Sequence, residues 1–225
     1  MKRVFLLSWS VILLSSCVTS KFLTSDVKSE DINEMLKFEP FSYISLIEQG
    51  NRSFYNDSLS SETKIILNES LETFREKFRF SPEEITMTDS LERIRFEQEI
   101  KILILLAERN RSIKDIQIPP LIDSLLITNG KRFGLIIVQS GFTRTKSNYG
   151  NQIAKGVGMG ILTMGMYYQT PIKANSTIYA VIVDSKDKNI AFYHKNVLQD
   201  KEPTEKEIII NQIHKIFEKY FVEKR

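Results

Sequence analysis

Two apolar runs in the second half of the chain decide the fold: FGLIIV at residues 133–138 and TIYAVIVD at residues 177–184. Both runs are short and rich in β-branched side chains, which is typical of strands buried on both faces of a sheet. The second run is followed by the polar segment Lys186–Asn189 and then by the apolar segment Ile190–Tyr193. This order predicts a hairpin made of the second and third strands.

A helix is predicted after these strands. Thr204 and Glu207 form the pattern of a capping box behind Pro203. The apolar residues that follow recur at helical spacing on one face: Ile209, Ile213, Ile216, Phe217, Tyr220 and Phe221. Since such a helix can cover one face of a sheet, residues 119–225 are predicted to form a small α/β domain with about three strands.

A glycine-rich segment, Gly150–Gly165, joins the first two strands. We interpret it as a crossover helix buried against the sheet, in which the glycines allow close contact between backbones. Three alternatives stay open: a phosphate-binding loop, a helix inserted into lipid, and a surface for a partner protein. No Gly-Lys-Ser/Thr follows, as a phosphate loop requires. Gly156 and Gly160 form a GxxxG pair, as in helices that meet in membranes.

Residues 26–118 are predicted to form a helical region. Apolar residues recur at helical spacing over Asp31–Phe38 and again over Phe41–Ile47, with Pro40 between them. The expected fold class is therefore α+β. An N-terminal helical region precedes a small α/β layer of about three strands, with a glycine-rich crossover helix and a C-terminal helix.

Two longer helices are predicted within this region. One begins at Ser60 or Ser61 and reaches about Phe78. The next begins at Ser81, where proline occupies the first helical position, or near Thr88, and it runs to about Arg109. Its end, Ile102–Ala107, is apolar on every side and is expected to be deeply buried.

The chain begins like a secreted protein. Lys2 and Arg3 precede an apolar run, Phe5–Leu14, which is the layout of a signal peptide and is too short for a spanning helix. The end of this segment, Leu14-Ser15-Ser16-Cys17, resembles the lipobox of bacterial lipoproteins. The resemblance implies that residues 1–16 are removed, that Cys17 carries diacylglycerol, and that its amino group is often acylated as well, for example with palmitate. Residues 17–25 are then a lipidated tether, because two or three acyl chains hold a protein stably at a membrane.

The same resemblance implies a location. In the lipoprotein sorting systems known best, an aspartate directly after the cysteine retains a protein in the inner membrane. Val18 occupies that position here, which implies the outer membrane. Surface export in some bacteria uses an acidic patch after the cysteine, whereas the first acidic residue here is Asp26. A location facing the periplasm is therefore expected.

The composition of the chain argues against several classes of function. Removing residues 1–16 takes away Lys2 and Arg3 and no acidic residue, which lowers the formal charge from +3 to about +1. A nearly neutral chain argues against a nucleic-acid partner. With Cys17 lipidated, no thiol remains for a disulfide, a zinc site or cysteine catalysis. We predict no cofactor.

Few side chains suggest chemistry. His194 and His214 are the only histidines, and both are interpreted as structural, so no metal site is predicted. The Gly-x-Ser-x-Gly pattern of a nucleophile elbow is absent, and we predict that the protein is not an enzyme. Arg144 and Lys146 follow the first strand, where α/β folds bind ligands. They are candidate contacts for an anion or a partner, with a solvated loop as the plain alternative.

Two further resemblances concern the mature chain. The triplet Asp-Ser-Leu occurs three times and is similar to the O-glycosylation pattern of Bacteroidetes envelope proteins, which makes Ser58, Ser90 and Ser124 candidate sites. The second resemblance covers about Pro119 to the C-terminus. Its runs Lys131–Leu135, Gly141–Lys146 and Gly150–Gly165 resemble uncharacterised Bacteroidetes lipoproteins. Its order of elements is similar, more loosely, to the TolB amino-terminal, LpoB-like and CsgG-like envelope domains. That resemblance implies a non-enzymatic adaptor or assembly factor that binds other envelope proteins, of unknown oligomeric state. The alternative is a membrane-remodelling or pore- and secretion-associated component acting through residues 156–165.

Overall fold

One mixed sheet of eight strands forms the centre of the computed structural model, which describes residues 20–164 and 171–222. Its strands are β1 (Lys21–Thr24), β2 (Met35–Phe38), β3 (Phe41–Ile47), β4 (Ser53–Tyr55), β5 (Phe80–Ile85), β6 (Phe133–Arg144), β7 (Ala174–Asp184) and β8 (Asn189–Gln199). The order across the sheet is β1-β8-β7-β6-β2-β5, while β3 pairs with β6 and with β4.

β6 is the middle strand. It pairs antiparallel with β7 along its whole length, and on its other side it pairs in parallel with β2 and then with β3, which follow one another along it. Successive side chains of a strand point to opposite faces. Leu135 and Ile137 therefore enter one core cluster, and Ile136 and Val138 enter another. The strands predicted at residues 133–138 and 177–184 are confirmed, and so is the hairpin of β7 and β8.

Helices cover both faces of this sheet. The described residues form α1 (Asp57–Thr73), α2 (Arg75–Phe78), α3 (Ser90–Arg109), α4 (Pro120–Thr128), α5 (Lys146–Leu162) and α6 (Lys206–Phe221), and all of these except α5 contribute to the two core clusters. Buried side chains of α1, α2 and α6 pack with Leu135, whereas those of α3 and α4 pack with Ile136. The result is a three-layer arrangement with the sheet in the middle.

The predicted fold class is wrong. The segment 26–118 is not a helical region, because it supplies β2, β3, β4 and β5 to an eight-strand sheet. β2 and β3 pair directly with β6, so strands from both sides of the predicted boundary after residue 118 form one sheet.

The misleading segments have identifiable physical causes. β2 is buried on both faces and has no alternation, since even Lys37 is buried in an ion pair with Glu72. In β3, Phe41 and Ile44 have helical spacing, but three positions along a strand place them on opposite faces. The predicted helix start at Ser81-Pro82 lies inside β5, an edge strand, where proline is tolerated.

The predicted burial of Ile102–Ala107 is also wrong. α3 buries Leu103 and Ala107, but Ile102 is 52% exposed and Leu105 is 47% exposed. The helix therefore covers the sheet with a single face and leaves apolar side chains on the other.

The glycine-rich helix forms, but it is not a crossover. β6 and β7 are antiparallel neighbours, so the connection that contains α5 leaves the sheet and re-enters it at the same end. In the second half of α5, Val157, Met159, Ile161 and Leu162 are exposed, and a Cβ added at Gly158 would meet no atom within 4 Å. The prediction of a helix buried against the sheet is therefore wrong.

The described residues begin at residue 20, within the predicted lipidated tether. The signal peptide, residues 1–16, and Cys17 lie outside the described residues. Within the predicted tether, Lys21–Thr24 form β1, which pairs antiparallel with β8 and closes that edge of the sheet.

Candidate functional site

A groove opens at the sheet edge where β3 begins. β5 accompanies β2 as far as Ile85, and β4 accompanies β3 only from Ser45 onward. The first residues of β3 therefore lie between two partner strands. The groove over this gap has a volume of about 610 Å³ and is lined by Pro40, Phe41, Ser42, Tyr43, Tyr55, Ser60, Ser61, Lys64, Arg93 and Glu97.

The backbone at this gap has hydrogen-bonding groups on its outer edge. Ile44 turns outward, because its N–H donates to Ser60 Oγ at 2.9 Å and its carbonyl accepts from the N–H of Asn56 at 2.9 Å. Strand residues alternate, so Ser42 turns its own N–H and carbonyl to the same edge. The Ser42 hydroxyl is buried and has no hydrogen-bond partner among the described residues. Ser42 lines the groove, but its hydroxyl oxygen is inaccessible, so the part of Ser42 that can meet a ligand there is the backbone edge.

Aromatic rings form one wall of the groove. The rings of Phe41 and Tyr43 are nearly parallel, with centroids 6.5 Å apart, and Tyr55 lies 6.5 Å from Tyr43. The guanidinium of Arg93 lies 6.0 Å from the centroid of Phe41. Such a wall offers apolar area together with a cation, and both suit a peptide side chain.

Charges in the groove are paired with one another. The hydroxyl of Tyr43 donates to Glu97 Oε2 at 3.0 Å, and Arg93 Nε lies 3.5 Å from Glu97 Oε1. Burial raises the pKa of Tyr43, and the Glu97 carboxylate raises it further. The phenol therefore keeps its single proton, which it donates to Glu97. Lys64 forms an ion pair with Glu39 on the other wall.

The two predicted anion contacts have different environments. The guanidinium of Arg144 forms hydrogen bonds within the protein. Its Nε donates to the carbonyl of Ile172 at 2.9 Å, and its Nη1 donates to Asn51 Oδ1 at 2.9 Å and to Asn148 Oδ1 at 2.8 Å. These bonds link the start of α5 to the chain that returns at Ile172, so we infer that Arg144 positions this helix. Lys146 opens α5 and is exposed.

The three candidate glycosylation sites lie on helices. Ser58 lies in the first turn of α1, Ser90 begins α3, and Ser124 lies in α4. All three residues are exposed. Their modification remains a prediction.

Both histidines have structural contacts. His194 is buried, and its Nδ1 lies 2.9 Å from the carbonyl of Ile216. His214 Nε2 lies 2.7 Å from Lys77 Nζ. In residues 20–164 and 171–222, no group of three or more His, Cys, Asp or Glu side chains is placed to hold a metal ion.

Sequence reasoning missed the groove. Its residues come from β3, β4, α1 and α3, so no spacing along the chain joins them. The one available signal was Pro40, which marks the break between β2 and β3. It was interpreted as the end of a helix, whereas it interrupts the strands that follow one another along β6.

Comparisons with known proteins find only distant likenesses. No family model and no curated protein matches the chain. Among solved structures, the chain is similar to the PelC dodecamer from Paraburkholderia phytofirmans, at 6% identity and a TM-score of 0.41, over 92% of this chain and 99% of that one. It is also similar to a DUF4136 family protein from Bacteroides thetaiotaomicron, at 8% identity and a TM-score of 0.33, over 92% of this chain and 98% of that one. Both likenesses are too distant to carry an argument about this chain.

Proposed function

We propose that the protein is a lipid-anchored, non-enzymatic adaptor of the cell envelope, held at the outer membrane by Cys17 and facing the periplasm. In this proposal, it binds an extended segment of another envelope protein in the groove over β3. The observation that carries the proposal is the gap between β4 and β5, where the outer backbone edge of β3 at Ser42 borders an aromatic-lined groove. Extended segments bind in this way, through main-chain hydrogen bonds and side-chain pockets.

The groove can be tested by photo-crosslinking in cells. Tyr55 lines the groove and is 56% exposed, while its neighbour Phe54 is 50% exposed and does not line it. The two positions on β4 thus form a matched pair for a photoreactive phenylalanine analogue. We expect the analogue at Tyr55 to capture one stretch of one envelope protein, and the analogue at Phe54 to capture none of it. Equal capture at both positions, or none at either, would contradict the proposal.

The anchor can be tested separately at Cys17. We expect the unchanged chain to incorporate a fatty-acid analogue and to sediment with membranes. The Cys17→Ser chain should lose the label and move to the soluble fraction, because its acyl chains are gone. If the Cys17→Ser chain stays fully attached to membranes and neither chain incorporates the label, Cys17 is not the anchor.

A further inference from the structure

The second half of α5 exposes a group of large apolar side chains. We call residues 157–164 the α5 tip. Within it Ile161 is 74% exposed, Leu162 is 79% exposed and Met164 is 93% exposed, while Val157 and Met159 are exposed as well. Val157 and Ile161 lie four positions apart on one face of α5, and Met164 follows the end of the helix. Apolar side chains exposed together in this way mark a surface that contacts something other than water.

The base of α5 is fixed, so the position of the tip relative to the sheet is defined. Thr145 caps the helix by accepting from the N–H of Asn148 at 3.2 Å, and Asn148 Nδ2 donates to the carbonyl of Glu48 at 2.7 Å. Arg144 holds the returning chain at Ile172. At about 1.5 Å per residue, Leu162 lies about 24 Å along the helix axis from Lys146.

The chain leaves towards Cys17 at the same end of the sheet. β6 ends at Arg144, β7 begins at Ala174 and β8 ends at Gln199, and these three residues mark the end that carries α5. β1 runs antiparallel to β8, so the chain before Lys21 continues towards Gln199. Ser20 already lies there, since its Oγ accepts from the N–H of Val197 at 3.4 Å.

A lipid at Cys17 therefore brings this end to the membrane. An extended chain spans at most about 3.6 Å per residue, so the three residues from Cys17 to Ser20 reach about 10 Å. The charge of α5 is compatible with an anionic membrane surface, because Lys146 and Lys155 are exposed and the helix contains no acidic residue. At the base, the Asp200 carboxylate accepts from the N–H of Lys173 and Glu202 pairs with the Lys173 ammonium, while Glu48 is exposed.

We propose that the α5 tip lies in the interface of the bilayer to which Cys17 is tethered, as a second membrane contact beside the lipid. This inference rests on the proposed lipid at Cys17. Within the described ranges, no helix combines the length and the apolar character that crossing a membrane requires. The contact is therefore that of an interfacial helix, with an apolar face in the acyl region and lysines near anionic headgroups.

The test uses the full chain, purified from membranes in detergent and returned to vesicles of phosphatidylethanolamine and phosphatidylglycerol. A thiol-reactive, polarity-sensitive fluorophore is attached to a Met164→Cys variant at the tip. The matched control is Ile127→Cys on α4, where Ile127 is 60% exposed. We expect a blue shift at residue 164 and loss of its emission when the acyl chains are brominated, with neither change at residue 127.

Other outcomes would overturn the inference. An emission at residue 164 that brominated lipids leave unchanged means that the tip is in water. A blue shift that depends on protein density but not on bromination means that a second copy covers the tip. The double variant Ile161→Asp/Leu162→Asp in the Met164→Cys chain should lose the quenching while the protein stays on the vesicles through its lipid.

The chain without an added cysteine separates failure of the anchor from failure of the tip. Cys17 is its only thiol. If Cys17 is acylated, this chain takes up no fluorophore. Labelling would show a free thiol and would refute the proposed anchor, whatever residue 164 reports.

Discussion

Single glycines in this protein have distinct physical roles. A Cβ at Gly141 would clash with the carbonyl oxygen of Asn175 and would lie 3.0 Å from Pro203 Cβ, so β6 and β7 need a glycine there. At Gly158 the same atom would meet nothing within 4 Å. We expect Gly141→Ala to lower the free energy of unfolding by about 1–3 kcal/mol, through overpacking. Gly158→Ala should raise it by about 0.5–1 kcal/mol, because alanine is the better helix former.

Chemical denaturation of the two variants checks this pair. Both substitutions add one methyl group, so the comparison isolates the environment of each glycine. Equal midpoints for the two variants would mean that Gly141 has no close neighbour, and a loss at Gly158 would mean that α5 is packed at that position.

Among single residues, His194 should make stability depend on pH. Burial lowers its pKa, although the hydrogen bond to the Ile216 carbonyl opposes this. An unfolded histidine has a pKa of about 6.5, so below this pH the unfolded chain binds a proton that the folded chain resists. The free energy of unfolding should therefore fall as the pH drops below about 6.5 and should be free of this effect above it.

Thermal unfolding at a series of pH values tests the assignment to His194. We expect His194→Gln to flatten the decline below about pH 6.5, since glutamine cannot take up the proton. His214→Gln on α6 is the control and should keep the part of the decline that comes from His194. If the decline is unchanged in His194→Gln, other groups cause it.

Among the elements, α6 shows what the sequence can predict. Ile209, Ile213, Ile216 and Phe217 were predicted on one face, and all four are fully buried. We expect Phe217→Ala to lower the free energy of unfolding by about 3–5 kcal/mol, because it leaves a cavity among aromatic neighbours. Lys215 on the same helix is exposed and provides the control, and Lys215→Ala should change the midpoint little. A Phe217→Ala midpoint like that of the unchanged chain would contradict the packing.

Other elements could not be predicted because their pattern comes from partners distant in sequence. β2 has no alternation, since Lys37 is buried by an ion pair to Glu72 that no local rule reveals. α5 carries the apolar residues of a core helix, yet it leaves the sheet end and exposes Leu162. The groove escaped prediction for the same reason, since it exists only once β3 lies beside β6.

At the scale of the whole molecule, one sheet joins two helical layers. Phe217 packs on one face and Phe96 on the other, and both contact strands of the same sheet. We therefore expect a single cooperative unfolding transition. Phe217→Ala and Phe96→Ala should each shift that whole transition, as followed by calorimetry and by circular dichroism. Two separate transitions, each sensitive to only one of the substitutions, would indicate independent domains at residues 26–118 and 119–225.

The pairing of β1 with β8 has a consequence for how the chain reaches its native state. Lys21 is hydrogen-bonded in register with Lys195, so nearly the whole chain must be present before this edge of the sheet can close. Structures dominated by such non-local pairing have high contact order and fold in milliseconds to seconds, well after local helices form. A chain synthesised from its amino terminus therefore cannot pair β1 until β8 has been made. β1 is synthesised early, yet it pairs with β8 late.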